Sequence, residues 1–161
     1  MESNDGNDSN DDRPVYDWEY AVIGHEASPV HVEITAEKIL QYAAAQRDAN
    51  PAFRLDAGKP LGVPPVMVRV FAPLRRRELV AEKGARYPNH PTPAVHWRCQ
   101  MLSTLRVGDS IESVTRVRDK YLKNGRHFLA WQVLAKRGVE AVALFEYVNL
   151  WDRGRPEDKS R

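Results

Sequence analysis

The sequence predicts a single-domain α+β protein in which helices come first and an antiparallel sheet follows. Residues 35–51 hold a helical pattern that ends at a proline, and a second apolar helical segment follows Pro64-Pro65. From Val95 onward apolar residues alternate with polar ones, and Asn124-Gly125 and Arg137-Gly138 interrupt them as hairpin turns. Strands joined by tight turns pair antiparallel, and their separation from the helices along the chain defines the α+β class.

Length and composition limit the classes of protein that this chain can represent. Its 161 residues fit one domain with a real core. No run approaches the roughly 18 apolar residues of a membrane span, and the N-terminus lacks the basic and apolar pattern of a secretory signal. We therefore expect a cytoplasmic protein. Cys99 is the only cysteine and no histidine pair has metal-binding helix spacing, so we expect no disulfide and no metal.

Charge divides the chain into a core and two tails. Residues 1–13 carry five acids and one arginine, which leaves 23 basic and 17 acidic residues, a net charge of +6, in the rest. We predict a disordered acidic tail over 1–13, one domain over 14–152 and a flexible tail over 153–161, because the tails hold too little apolar surface to order them. The basic body suits an anionic partner, whereas nucleic acid is not expected because no reader motif is present.

The elements of the N-terminal half follow from local signals. Residues 20–23 and 30–34 are short apolar or alternating runs, which favours extended structure. Thr35 is placed to cap a helix, and Glu37 lies in its first turn. The residues at helical spacing then form one apolar face: Ala36, Ile39, Leu40, Ala43 and Arg47. The Pro51 region ends this helix.

A second helix is predicted after Pro64-Pro65 and lies at the centre of the expected sheet. One side of it holds Val66, Met67, Val70, Phe71 and Leu74. Pro73 lacks a backbone donor and clashes with the preceding turn, so we expect a kink or break there. The later strands are predicted over residues 111–121, 126–135 and 141–151.

Three ordered blocks resemble one family. In residues 42–53 the segment Asp48-Ala49-Asn50-Pro51 resembles the active-site segment of MaoC-like hydratases and dehydratases, in which Gly stands at the position of Arg47 and His at that of Phe53. Residues 95–111 resemble that family's first long strand and Gly-Asp turn. Residues 62–67 resemble the entry to the buried helix in a branch that includes the N-terminal halves of fatty-synthase-type dehydratases and mycobacterial dehydratase subunits.

The resemblance covers residues 20–151 and implies a hot-dog fold, an antiparallel sheet wrapped around a central helix. It also implies the addition or removal of water across the double bond of an acyl thioester, carried by CoA or a carrier protein. Asp48 and Asn50 would then be catalytic, and a backbone amide of Val66 or Met67 would bind the thioester oxygen. No cofactor is implied beyond the CoA of the substrate.

Several further residues are candidates for contact with the substrate, and most of them also have a structural interpretation. Phe53 and His96 are candidates for the substrate pocket, although a strand histidine is more often structural. The cluster Arg75, Arg76 and Arg77 is a candidate for binding CoA phosphates, and its alternative is a solvated helix end. The alternative for Asp48 and Asn50 is a turn that ends a helix.

The phenylalanine at position 53 leaves the reaction open, because its ring has no ionisable proton with which to activate water. Another residue could replace the histidine, or Asp48 could act alone in a different reaction. A separate alternative is a hot-dog thioesterase, in which amides at the helix end polarise the thioester carbonyl and water attacks without a histidine. The chain could also be a non-catalytic subunit of a heteromeric dehydratase. Because family proteins pair their sheets, we expect a homodimer or a heterodimer with another hot-dog chain.

Overall fold

The structure is a computed structural model and describes residues 11–56 and 58–152. A five-stranded antiparallel sheet has the strand order β1-β3-β4-β5-β2. Its elements are β1 Val30–Glu33, α1 Ala36–Ala45, a 3-10 turn Pro51–Phe53, a 3-10 turn Pro65–Met67, α2 Val68–Phe71, α3 Arg76–Glu82, β2 Ala94–Met101, β3 Ser110–Lys123, β4 Arg126–Arg137 and β5 Glu140–Leu150. The predicted tail at 153–161, and residues 1–10 of the other, lie outside the described residues.

The sheet is built on a meander of its three longest strands. Asn124 and Gly125 both have positive φ, 51° and 70°, which is the backbone of the two-residue turn predicted between β3 and β4. β1 then adds to the free side of β3, and β2 adds to the free side of β5. As a consequence, β1 and β2 are the two edges of the sheet.

The central helix, by which we mean the 3-10 turn Pro65–Met67 together with α2, packs against one face of this sheet. Met67, Val68 and Phe71 are buried and share a core with residues of β3, β4 and β5, namely Ile111, Val133, Ala135, Val142 and Phe145. The predicted face of this helix was partly wrong, since Val66 is 63% and Val70 40% exposed. The buried face follows Met67, Val68 and Phe71 because that side of the helix faces the sheet.

The predicted break at Pro73 is present and has a partner in the sheet. α2 ends at Phe71, and α3 begins at Arg76. The Thr115 hydroxyl on β3 accepts a hydrogen bond from the Arg75 amide at 3.0 Å and donates to the Pro73 carbonyl at 3.4 Å. A buried strand hydroxyl thus satisfies the backbone groups that the broken helix leaves unpaired.

The chain after β5 is fixed to the start of β4 by Asp152. The backbone and ring nitrogens of His127 lie 2.8 Å and 2.9 Å from Asp152 Oδ1, and Arg126 donates to the same carboxylate. Burial alone would raise the pKa of Asp152, but the hydrogen bonds from Arg126 and His127 hold it below the usual value.

The predicted extended segment at residues 20–23 differs in the structure. Residues 20–23 form a turn region and no strand, because the Asp17 carboxylate accepts from the Tyr20 amide at 2.8 Å and begins a local turn. Within the described ranges, no helix is long and apolar enough to cross a bilayer.

Candidate active site

The first helix ends in a turn whose backbone requires a left-handed residue. The Arg47 amide donates to the Ala44 carbonyl at 3.0 Å, and the Asp48 amide donates to the Ala43 carbonyl at 2.9 Å. This pair of bonds is the usual glycine-favouring helix end. Arg47 has φ +52°, which explains physically why glycine is the usual residue at this position of the family pattern.

Asp48 and Asn50 both stabilise the turn that follows. Asp48 Oδ1 accepts from the Asn50 amide at 2.9 Å, and Asn50 Oδ1 accepts from the Ala52 amide at 3.0 Å. Asp48 is half-buried, whereas Asn50 is exposed. Each side chain therefore has a local structural use in the described conformation. One Asp48 carboxylate oxygen has no hydrogen bond to any described residue.

The 3-10 turn places Phe53 in the wall of a cleft of about 460 Å³. The Phe53 ring lies against Gly62, where an added Cβ would come within 3.4 Å of the ring and 2.9 Å of the Ala52 carbonyl oxygen. The Gly62 amide also donates to that carbonyl at 2.8 Å. The opposite wall is the segment from Met101 to Leu105. Phe53 is thus a lining residue of this cleft.

A second cleft of about 360 Å³ continues beside the first, and both share Pro65 and Met101 as lining residues. We call the two together the acyl groove. Its second part lies between the central helix and β2, with Tyr42, Val66, Val68, Arg69, Trp97, Cys99 and Phe145 in its walls. Most of these side chains are apolar, so the groove suits a hydrocarbon chain.

His96 is not among the residues that line this groove, and its assignment to a substrate pocket stays a prediction. Trp97, Cys99 and Met101 line the groove at every second position of β2. Because side chains alternate between the two faces of a strand, His96 and Arg98 point to the opposite face. His96 is exposed there and lies beside Val148 of β5 in the sheet register.

The two candidate amides at the entry of the central helix differ in their bonding. The Met67 amide donates to the Pro64 carbonyl at 2.9 Å, so it is already used within the turn. Val66 lies in the wall of the groove, and no residue in the described ranges accepts its amide hydrogen. Of the two, Val66 is the one whose amide could bind an oxygen of a ligand.

The three consecutive arginines differ in their hydrogen bonds, although Arg76 also lies 6.0 Å from the centroid of the Tyr87 ring that Arg77 contacts. Arg75 donates to the Ser28 carbonyl at 2.9 Å, and Arg76 donates to Asn149 Oδ1 at 2.7 Å. Arg77 is exposed and lies 4.7 Å from the centroid of the Tyr87 ring. Arg75 is therefore directed toward Ser28, whereas Arg76 and Arg77 share the Tyr87 ring. That the triplet binds CoA phosphates stays a prediction.

Few groups in the groove can exchange a proton. Burial raises the pKa of the Cys99 thiol, so it remains protonated and is a poor nucleophile. Arg69 in the groove is always charged, and the hydroxyls of Ser103 and Thr104 supply polar contacts. No group of three or more His, Cys, Asp or Glu within residues 11–56 and 58–152 is arranged to hold a metal ion.

Comparison with known proteins identifies the class and then the family. The strand order and central helix, together with the solved structures described below, define an α+β hot-dog protein. Residues 21–141 match the family model described as FAS1-like, dehydratase domain region. The chain belongs to this family, and it shares the fold of a MaoC-like dehydratase. A comparison with curated proteins gave no match.

Solved structures agree with this fold at low sequence identity. The monoamine oxidase regulatory protein of Archaeoglobus fulgius is 17% identical with a TM-score of 0.64, over 86% of this chain and 95% of its own. The ChsH1-ChsH2 complex of Mycobacterium tuberculosis gives 17% and 0.59 over 78% and 88%. The MaoC-like dehydratase of Rhodospirillum rubrum gives 16% and 0.58 over 84% and 96%. At these identities the likeness shows a shared fold and nothing more specific.

Proposed function

We propose that this chain is the acyl-thioester-binding subunit of a hydratase or dehydratase, and that a second hot-dog chain supplies the residues that move protons. Family membership supports the reaction class. The observation that supports a separate source of the proton-transfer residues is the lining of the acyl groove. Its described residues are mainly apolar and include no histidine, aspartate or glutamate.

The groove would hold the acyl chain of the thioester. Its two parts are joined at Pro65 and Met101, so a chain that enters beside Phe53 can continue toward Trp97. Each methylene that leaves water for such a surface contributes about 0.8 kcal/mol, or roughly a fourfold change in Kd. Affinity should therefore rise with acyl length until the groove is filled.

The thioester carbonyl would lie at the entry of the central helix. In this position the Val66 amide could donate to the carbonyl oxygen, and withdrawal of electron density would make the α-proton more acidic. Elimination of water additionally requires one group that accepts the α-proton and one that protonates the leaving hydroxyl. Phe53 can do neither, and Asp48 is not among the described residues that line the acyl groove.

The edge strand β2 is the surface on which the second chain would add. Val95 and Trp97 on this strand are 53% and 62% exposed, and Val66 nearby is 63% exposed. A long edge with exposed apolar side chains is an unstable surface for an isolated monomer, and addition of a strand from another chain would cover it. Heteromeric complexes occur among proteins of this fold, as in ChsH1-ChsH2 and HadBC of Mycobacterium tuberculosis.

The test is a product analysis with the isolated chain and with its partner. We expect the isolated chain to bind a 2-enoyl-CoA without adding water, and expect hydration when a hot-dog chain that contains the aspartate and histidine pair is present. Asp48→Asn should leave the rate of the complex nearly unchanged. Hydration by the isolated chain that Asp48→Asn abolishes would instead make this chain a complete hydratase. Release of free acid would make it a thioesterase.

A further inference from the structure

A third cleft, of about 720 Å³, is separate from the acyl groove. It includes Thr92, just before β2, whereas the nearest groove residue on that strand is Trp97. Five residues of extended chain separate the two by roughly 16 Å. The size of the cleft is within the range of pockets that bind small molecules. We call it the arginine cleft because Arg13, Arg77 and Arg86 line it.

The arginines of this cleft have few acidic partners. Arg77 is held by the face of the Tyr87 ring, and that ring packs edge-on against buried Trp151 at 5.4 Å. Arg86 Nε donates to the Arg13 carbonyl at 3.2 Å. Over the described ranges, neither Arg77 nor Arg86 forms an ion pair. Their guanidinium groups are held by neutral contacts, and Arg86 also lies near enough to Asp11 to help Arg13 lower the pKa of that carboxyl. Neither guanidinium is neutralised by a direct ion pair within the described ranges, so both can contact a ligand.

The remaining lining makes the cleft both positive and polar. Among the described residues that line it, the one carboxylate belongs to Asp11, and this group is bonded to Arg13 at 2.6 Å. Asn89, His90 and Thr92 add hydrogen-bonding side chains. Arg77 and Arg86 therefore place positive charge on the described part of a concave surface, where attraction for anions is stronger than on a flat one.

We infer that the arginine cleft binds the phosphate groups of a small phosphorylated molecule, with Arg77 and Arg86 as the principal contacts. Guanidinium forks match phosphate oxygens in geometry, and the neighbouring amide and hydroxyl groups suit a ligand that is polar throughout. The phosphates could belong to the nucleotide end of a CoA molecule or to a free nucleotide. This inference does not depend on the acyl groove or on the proposed function.

The experiment is calorimetric titration of the full chain with adenosine 3′,5′-diphosphate, which is the nucleotide end of CoA, and with inorganic diphosphate. Saturable binding that weakens as salt rises is expected for a site of this kind. Arg77→Gln and Arg86→Gln should each weaken it by about tenfold, since a charge-assisted hydrogen bond contributes more than a neutral one. Arg98→Gln is the matched control, because Arg98 is an exposed arginine that donates to Gln100.

Each outcome either supports or overturns the inference. Tighter binding of the nucleotide, competed by CoA, identifies CoA as the source of the phosphates. Equal binding of both probes identifies free phosphates. Failure of folded wild-type chain to bind either probe, or equal weakening by Arg98→Gln, overturns the inference. The inference is also overturned if an acidic polypeptide saturates the cleft while neither phosphate probe binds, since this result would indicate a protein partner. If the affinity for acyl-CoA still rises with acyl length in Arg77→Gln, the proposed function stands whatever the outcome for the arginine cleft.

Discussion

Replacement of Arg47 by glycine should stabilise the protein, because the turn that presents Asp48 requires a backbone conformation that side chains disfavour. Arg47 has φ +52° and closes the helix end through two backbone bonds of 3.0 Å and 2.9 Å. A residue with a Cβ loses about 1–2 kcal/mol in this conformation. Glycine avoids that loss but costs about 0.5–1 kcal/mol through the freedom of the unfolded chain.

The difference predicts that Arg47→Gly raises the free energy of unfolding by about 0.5–1 kcal/mol, or Tm by about 1–4 °C for a chain of this size. The assay is urea denaturation, in which the midpoint should rise at constant slope. Arg47→Ala keeps the backbone penalty while removing the charge, so it should leave the midpoint almost unchanged. Ala45→Gly, in the last helical position, should lower it. A lower midpoint for Arg47→Gly would refute this account of the turn.

Three further substitutions test other parts of the structure. Thr35→Ala removes the hydroxyl that caps the first helix and should lower the free energy of unfolding by about 1 kcal/mol, whereas Thr35→Ser should retain it. Gly62→Ala places a Cβ 2.9 Å from the Ala52 carbonyl oxygen, so it should cost about 1–3 kcal/mol and weaken acyl-CoA binding; unchanged values in both assays would show that the loop has room. The lowered pKa of Asp152 means that its contribution to stability is complete above pH ~4 and is lost as pH falls. Asp152→Asn should therefore reduce the loss of stability in acid, and an unchanged acid titration would contradict this role.

The sequence predicted the fold well because the deciding signals are local. The turn at Asn124-Gly125 sets the register of β3 and β4, and the alternation on either side of it gives the two strands. Pro73 predicted the break in the central helix through the donor that proline lacks. The resemblance across three blocks then selected the hot-dog arrangement among α+β folds, which local pattern alone does not do.

The site was predicted less completely because it depends on packing between distant segments. The alternation of Trp97, Cys99 and Met101 contained the signal that excludes His96 from the groove, but which face of β2 meets the helix is decided by tertiary packing. Likewise, the arginine triplet reads as one cluster in sequence. The structure directs Arg75 toward Ser28 and leaves Arg76 and Arg77 over the same Tyr87 ring, because these partners come from different segments of the chain.

The most direct test is to titrate the isolated chain with 2-enoyl-CoA thioesters of increasing acyl length and to analyse the product in the same samples. Because the acyl groove is mainly apolar and none of its described side chains is a histidine or a carboxylate, we predict binding that tightens by roughly fourfold per methylene, with the thioester recovered unchanged. Affinity independent of acyl length, or conversion of the thioester by this chain alone, would contradict the account.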